Sequence, residues 1–118
     1  TALEIDSSSY EQANENVRDS IYANRIQMLH QSFQDYSNST SQKFDLIVTN
    51  PPYFLDSLKS NDTNRSLARH ADALPFPDLI KGVKKLLLPE GRCCLILPKK
   101  EAEVFIKLAA QNNMYLTR

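Results

Sequence analysis

One short stretch limits the fold of this chain more than any other. An apolar run, residues 44–49, is followed at once by Asn50-Pro51-Pro52-Tyr53. The run has the length and composition of a buried β-strand. Each proline fixes its own φ at about −65° and keeps the residue before it out of the helical region. The strand must therefore end in a stiff, extended turn, at the carboxyl end where open α/β sheets bind their ligands.

The four residues of this turn suit the methylation of a planar, weakly nucleophilic NH2 group. The lone pair of such an amine is delocalised, and two acceptors aimed at its N–H bonds can draw it back. The Asn50 side-chain oxygen and the Pro51 carbonyl can supply these acceptors. Tyr53 offers a ring for stacking, and Pro52 helps to keep the turn rigid. We therefore predict that these four residues are catalytic; a turn that merely ends a strand is the alternative.

Strand-like and helix-like segments alternate along the rest of the chain, which predicts an α/β fold with a doubly wound parallel sheet. Ser8 and Glu11 have capping-box spacing, and the first helix would bury a stripe that reaches Ile21. The other predicted segments are a strand at 1–6, a strand at 26–30, a loop at 36–42, a helix from Pro77, a turn at 88–91, a strand at 92–97, a helix through 104–109 and a strand from 115.

Composition excludes several classes of protein. The 118 residues suffice for one modest domain, no apolar run approaches the roughly 18 residues of a membrane span, and no secretory leader is visible. Cys93 and Cys94 would point to opposite faces of a strand. We expect them to be reduced core residues rather than a disulfide or a metal site, which predicts a cytoplasmic location. The net charge of zero gives no global attraction to nucleic acid.

Residues 48–54, Val-Thr-Asn-Pro-Pro-Tyr-Phe, resemble the catalytic motif of the S-adenosylmethionine-dependent amino-methyltransferases of class I, and the resemblance extends over nearly the whole chain. It implies an enzyme with a Rossmann-like doubly wound sheet and S-adenosyl-L-methionine as its cofactor. In that family an acidic residue at the tip of the second strand binds ribose hydroxyls; Glu4 matches this position, with Ile5 beside it. The end of the third strand contacts adenine, and Ser32-Phe33 stands there, with Ser32 replacing the usual acid. Asn50 would also lie beside the cofactor.

The polar segment after the motif resembles the Arg-x-x-x-Arg-His segment of the bacterial tRNA(Val) adenine N6-methyltransferases. The resemblance implies methylation of the N6 atom of adenine 37 in tRNA(Val). Arginines suit contact with RNA, because they can bind phosphates and stack on bases. It also implies four substrate-binding residues: Phe54, Arg65, Arg69 and His70. A solvated loop without a specific role is the alternative.

Three other functions remain open. A glutamine N5-methyltransferase of a peptide release factor uses the same tetrapeptide, but usually has a Glu-Pro pair and a glycine downstream of it. In this chain Arg65, Arg69 and His70 occupy that region. A DNA adenine N6-methyltransferase and a binding or scaffold module without catalysis are the remaining candidates.

A class I methyltransferase needs a glycine-rich turn after its first strand, and this chain has only Gly82 and Gly91. The resemblance therefore implies that residues 1–118 are a partial methyltransferase domain, inactive alone, without the first strand, the glycine loop and the C-terminal strands. In the family, the first strand lies between those that carry Glu4 and Asn50. We expect self-association or a swapped segment to fill this central gap; direct closure of the two flanking strands is the alternative.

Overall fold

Strands and helices alternate in the computed structural model, which describes residues 1–51 and 74–117. These residues form an α/β structure with parallel strands. Its elements are β1 (Ala2–Glu4), α1 (Ser7–Arg18), β2 (Met28–His30), α2 (Phe33–Ser39), β3 (Phe44–Thr49), α3 (Phe76–Leu86), β4 (Leu87–Leu95) and α4 (Lys99–Ala110). The chain divides into two compact units, Thr1–Ser39 and Thr40–Arg118. Within the described ranges, no helix is long and apolar enough to cross a membrane.

The first unit is built on β1 and β2, which pair in parallel with α1 as their crossover. Glu4 lies opposite His30 in this pairing. The pairing continues one residue further, because the N–H of Gln31 donates to the carbonyl of Glu4 at 3.0 Å. The carboxyl ends of both strands are thus held side by side. The strand predicted over 26–30 is shorter than expected, and Ile26 remains 38% exposed.

Helix α1 begins and ends differently from the prediction. Its N-cap is Asp6 rather than a serine, since Asp6 Oδ1 accepts the N–H of Ser9 at 2.8 Å and the hydroxyl of Ser8 at 2.7 Å. A carboxylate at this position satisfies a backbone N–H that has no partner inside the helix. The helix ends at Arg18, so Ile21 lies in the following turn and is 91% exposed. The prediction of a buried stripe is therefore wrong: Ile21 lies outside the helix, and the earlier members, Ala13 and Val17, are only partly buried.

Helix α2 occupies a segment that was predicted to be partly loop. Ser32 precedes the helix, and its hydroxyl oxygen accepts the N–H of Asp35 at 3.0 Å while its O–H donates to Asp35 Oδ2 at 2.7 Å. Tyr36 and Ser37 are buried on the inner side of the helix. The Ser-x-x-Asp spacing of a capped helix start was the signal in the sequence.

The second unit contains β3 and β4, paired in parallel, with α3 packed against β4 and α4 packed against α3. Phe76 and Phe105 join the two helices through an edge-to-face contact with centroids 5.2 Å apart. The buried apolar core of this unit lies on the two helices: Leu79, Ile80, Val83, Leu86, Phe105 and Ala109. The amphipathic face predicted from Pro77 onward is confirmed by the burial of its α3 members.

Strand β4 is longer than predicted and contains an irregularity where a turn was expected. Between the pairs Phe44–Leu87 and Leu46–Arg92, β3 advances by two residues and β4 by five. The extra residues of β4 bulge out of the pairing. A Cβ atom at Gly91 would lie 2.9 Å from the Phe44 carbonyl oxygen, so this close approach of two backbones requires glycine.

The two strand pairs form separate two-stranded sheets in the described part of the chain. The strand predicted from residue 115 is not formed. Instead, Tyr115 and Leu116 are exposed and extend beyond the turn that follows α4.

Candidate active site

The turn that was predicted to be catalytic begins where β3 ends. The carbonyl of Thr49, the last residue of β3, accepts the N–H of Ile96 at 3.2 Å. Asn50 is therefore the first residue beyond the strand pairing, and it is exposed, whereas Pro51 is buried. The proline ring fixes φ of Pro51, and Asn50 before it remains exposed. The structure thus places Asn50 at a carboxyl strand end, as the sequence predicts for a ligand-binding residue.

The other members of the predicted catalytic and substrate-binding sets lie outside the described residues. They are Pro52, Tyr53, Phe54, Arg65, Arg69 and His70.

The predicted cofactor residues of the first unit lie together at the carboxyl ends of β1 and β2. Glu4 is the last residue of β1, and its Oε1 atom accepts the N–H of Ile5 at 2.8 Å and the N–H of Asp6 at 2.9 Å. Oε2 takes no part in these two bonds and can accept from a ligand, since a carboxylate has about four acceptor sites. Ile5 is 46% exposed beside it.

Ser32 and Phe33 follow β2 at the start of α2. The Ser32 hydroxyl is paired reciprocally with Asp35, which brings a carboxylate within 2.7 Å of it. Ser32 stands where the resembled family has an acid, and the structure supplies an acid three residues later. Asp35 was not a candidate from the sequence; the spacing of a helix cap could have revealed it.

Two further residues at this edge were missed by sequence reasoning. His30, the last residue of β2, is exposed, and its Nε2 atom lies 3.0 Å from the Ile5 carbonyl oxygen. Its ring stacks on Tyr10, with centroids 5.1 Å apart and planes 17° from parallel. The ring contact depends on the packing of α1 against β2 and the contact with Ile5 on the pairing of β1 with β2, and no local pattern in the sequence reveals either.

The charge at this edge is negative. Hydrogen bonds from the Ser8 side chain and from Ser9 lower the pKa of Asp6 to about 2, so this carboxylate is ionised at neutral pH. Within residues 1–51 and 74–117, no group of three or more His, Cys, Asp or Glu side chains is placed to hold a metal ion.

Comparison with known proteins defines the class first. A family model described as Eco57I restriction-modification methylase matches residues 1–114. The chain therefore belongs to this family of methylases.

Individual relatives give a narrower comparison. The chain is 47% identical over 117 residues to the tRNA1(Val) (adenine(37)-N6)-methyltransferase of Parabacteroides distasonis. The aligned region covers 99% of this chain and 49% of the relative. A protein of the same name in Bacteroides fragilis is 43% identical to this chain, and the match covers 99% of this chain and 50% of the relative. Another in Pseudoalteromonas translucida is 44% identical, and the match covers 98% of this chain and 49% of the relative. The chain spans about half the length of these curated relatives. The resemblance inferred from residues 48–54 is confirmed.

Proposed function

We propose that the protein containing this chain transfers a methyl group from S-adenosyl-L-methionine to the exocyclic N6 of an adenine in tRNA. The proposed target is adenine 37 of tRNA1(Val), which the names of the relatives specify. One observation carries the proposal: relatives with this name match nearly the whole chain, including the segment with Asn50. The exposure of Asn50 at the carboxyl end of β3 supports it independently.

The residues at the edge of β1 and β2 fit the proposed cofactor. S-adenosyl-L-methionine, when bound, supplies an electrophilic methyl group on a sulfonium sulfur. Its ribose carries two hydroxyl donors, and Glu4 Oε2 is an acceptor at a carboxyl strand end, next to the Oε1 atom that the backbone holds. Ile5, Ser32 and Phe33 would contact the adenosine part, with Phe33 packing on the ring face.

The catalytic turn would act on the target amine. Asn50 Oδ1 and the Pro51 carbonyl accept its two N–H bonds, which directs the nitrogen lone pair at the methyl group. Tyr53 stacks on the adenine after the base has left its neighbours. We also propose that Asn50 contacts the cofactor. Formation of the N–CH3 bond would break the C–S bond and leave S-adenosyl-L-homocysteine, and the proton lost from the amine would pass to solvent.

Phe54, Arg65, Arg69 and His70 are proposed to hold the RNA. The two arginines would bind phosphates or stack on bases, and the aromatic ring of Phe54 would extend the stacking surface. These roles rest on the resemblance of their segment to that of the tRNA(Val) methyltransferases.

Methylation of DNA adenine is the second candidate, because the matching family model is described as a restriction-modification methylase. A transfer assay with the full-length protein and tritiated cofactor separates the candidates. We expect tritium in a tRNA1(Val) transcript and none in a transcript in which guanine replaces adenine 37. Labelling of duplex DNA or of a peptide release factor, with tRNA unlabelled, would refute the proposal.

We further propose a Rossmann-like doubly wound sheet for the whole protein and a cytoplasmic location. We also propose that self-association or a swapped segment covers the unpaired edges of the strands in residues 1–118. Each described strand pairs with one other strand only, and Leu46 and Val48 of β3 are 54% and 68% exposed. Sedimentation of residues 1–118 should show dimers that form with rising concentration. A monomer at every concentration would contradict self-association.

A further inference from the structure

We propose that His30 is a positioning residue for the Glu4 carboxylate and acts through the peptide group between Ile5 and Asp6. This inference rests on the proposed function, in which Glu4 holds the ribose of the cofactor.

A single peptide group links the two side chains. The Ile5 carbonyl and the Asp6 N–H belong to one planar trans peptide, so they point in opposite directions. On one side the carbonyl oxygen lies 3.0 Å from His30 Nε2, and on the other side the N–H donates to Glu4 Oε1 at 2.9 Å. A rotation of this peptide that broke one of the two bonds would also break the other.

The bond from His30 also favours the bond to Glu4 electronically. A carbonyl oxygen only accepts, so Nε2 must carry the proton in this contact. Donation to the carbonyl polarises the peptide and strengthens its N–H as a donor to the carboxylate. The Glu4 carboxylate is thereby held against the N–H of Asp6.

The His30 ring is itself fixed from two sides. Tyr10 of α1 stacks on it, and the pairing of β1 with β2 places it opposite Glu4. The backbone at this position is held as well, since Gln31 donates to the Glu4 carbonyl. Both the ring and the backbone of His30 are therefore held in place where the ring contacts the Ile5 carbonyl.

The consequence is a carboxylate that is oriented before a ligand arrives. With Oε1 bound to the N–H groups of Ile5 and Asp6, Oε2 is directed to accept from a ligand hydroxyl. Without His30 the peptide could turn, and binding would have to order both the peptide and the carboxylate. His30 should therefore increase cofactor affinity without touching the cofactor.

Calorimetry of the full-length protein with S-adenosyl-L-homocysteine tests this role. His30→Leu should raise the Kd about tenfold, the effect of roughly one hydrogen bond to a charged group. His30→Gln keeps an N–H donor near the Nε2 position, and its Kd should stay close to that of the wild type. In the Glu4→Gln background, His30→Leu should have little further effect, because the two residues act in series.

Tyr10→Leu removes the ring that supports His30 and should raise the Kd a few-fold, roughly as loss of one ring contact would. Tyr22→Leu is the matched control: Tyr22 is 51% exposed in the turn after α1. Its Kd should equal that of the wild type.

The outcomes separate the two claims. If Glu4→Gln leaves the Kd unchanged, the proposed role of Glu4 in cofactor binding fails. If Glu4→Gln weakens binding and His30→Leu does not, the positioning role fails while the proposed function stands. Equal losses from His30→Leu in both backgrounds would also overturn it. If His30→Leu does not fold, His30→Gln decides: a Kd as weak as that of Glu4→Gln overturns the positioning role, and a Kd near that of the wild type supports it.

Discussion

Replacement of Gly91 by alanine is a sharp test of how β4 fits against β3. The added Cβ would lie 2.9 Å from the Phe44 carbonyl oxygen, 3.0 Å from the Leu88 carbonyl oxygen and 3.0 Å from Leu87 Cδ2. The leucine methyl group can move by rotation of its side chain. The two carbonyl oxygens belong to the backbone of the irregular segment, so relief there requires the strands to move apart.

The size of the effect follows from two opposing terms. Carbon–oxygen contacts in sheets are normally about 3.3–3.6 Å, so both carbonyls must retreat by several tenths of an ångström. Overpacking of this kind costs about 1–3 kcal/mol. Gly91 does not have a positive φ, so alanine adds no backbone strain and gains about 0.4–1 kcal/mol from a less flexible unfolded chain. The free energy of unfolding should therefore fall by about 1–2 kcal/mol.

Urea unfolding of the full-length protein, followed by circular dichroism, measures this difference. The midpoint should fall while the slope with urea stays constant, since the surface exposed on unfolding does not change. Glu90→Ala is the control, because Glu90 is exposed on the adjacent position and its loss should change stability by less than about 0.5 kcal/mol. A Gly91→Ala midpoint equal to or above that of the wild type would refute the close approach.

Three other changes test separate parts of the account. Asn50→Ala in the full-length protein should raise the barrier to methyl transfer by about 3 kcal/mol through loss of one acceptor, and near-normal single-turnover rates would refute the role. Asp6 has its pKa lowered to about 2 from 3.8, chiefly by the Ser8 hydroxyl, so its stabilisation is complete above about pH 4 and is lost as the pH falls towards 2. The Tm difference between wild type and Asp6→Ala should shrink over that range, and a difference that persists at pH 2 would contradict the assignment. Cys94 is exposed and Cys93 only partly buried, so the prediction that both are core residues is wrong for Cys94. Burial raises the pKa of Cys93 to about 11, so at pH 8 iodoacetamide should alkylate Cys94 much faster. Mass spectra of the Cys93→Ser and Cys94→Ser variants compare the two rates, and equal rates would contradict the burial.

The parts of the fold that were predictable are those in which local chemistry decides the structure. Strand β3 has the bounds that its apolar run and the following prolines predict, but none of its residues is buried, so the prediction of a buried strand is wrong in that respect. Helix α3 forms where a helix was predicted from Pro77, and four apolar residues at helical spacing are buried in it, whereas Leu87, the next apolar residue of the predicted face, begins β4 instead. In both cases periodicity and backbone restriction point to the same element, so no tertiary information was needed.

Other elements depend on contacts distant in sequence. Helix α2 is short and polar. It is stabilised by the Ser32 cap and by the buried ring of Tyr36 rather than by an apolar stripe. Ile21 fits a helical stripe by spacing, but α1 ends three residues earlier, where Ser20 binds the Val17 carbonyl. The early start of β4 results from its pairing at Leu87, beyond the turn-like Pro-Glu-Gly sequence.

The candidate site divides in the same way. Asn50 and Glu4 could be predicted because each follows or ends a strand, and a carboxyl strand end is a general location for binding residues. The contacts of His30 could not, because its ring meets Tyr10 only when α1 packs on β2 and meets the Ile5 carbonyl only when β2 pairs with β1. Asp35 lies between these cases, since its cap spacing is visible but its place beside Ser32 required the structure.

The orientation of the target base tests the central claim most directly. A crystal structure of the full-length protein with S-adenosyl-L-homocysteine and an anticodon stem-loop containing adenine 37 would measure it. The account predicts that N6 lies about 3 Å from both Asn50 Oδ1 and the Pro51 carbonyl oxygen, within hydrogen-bond distance of each. An adenine whose N6 points away from both oxygens would contradict it.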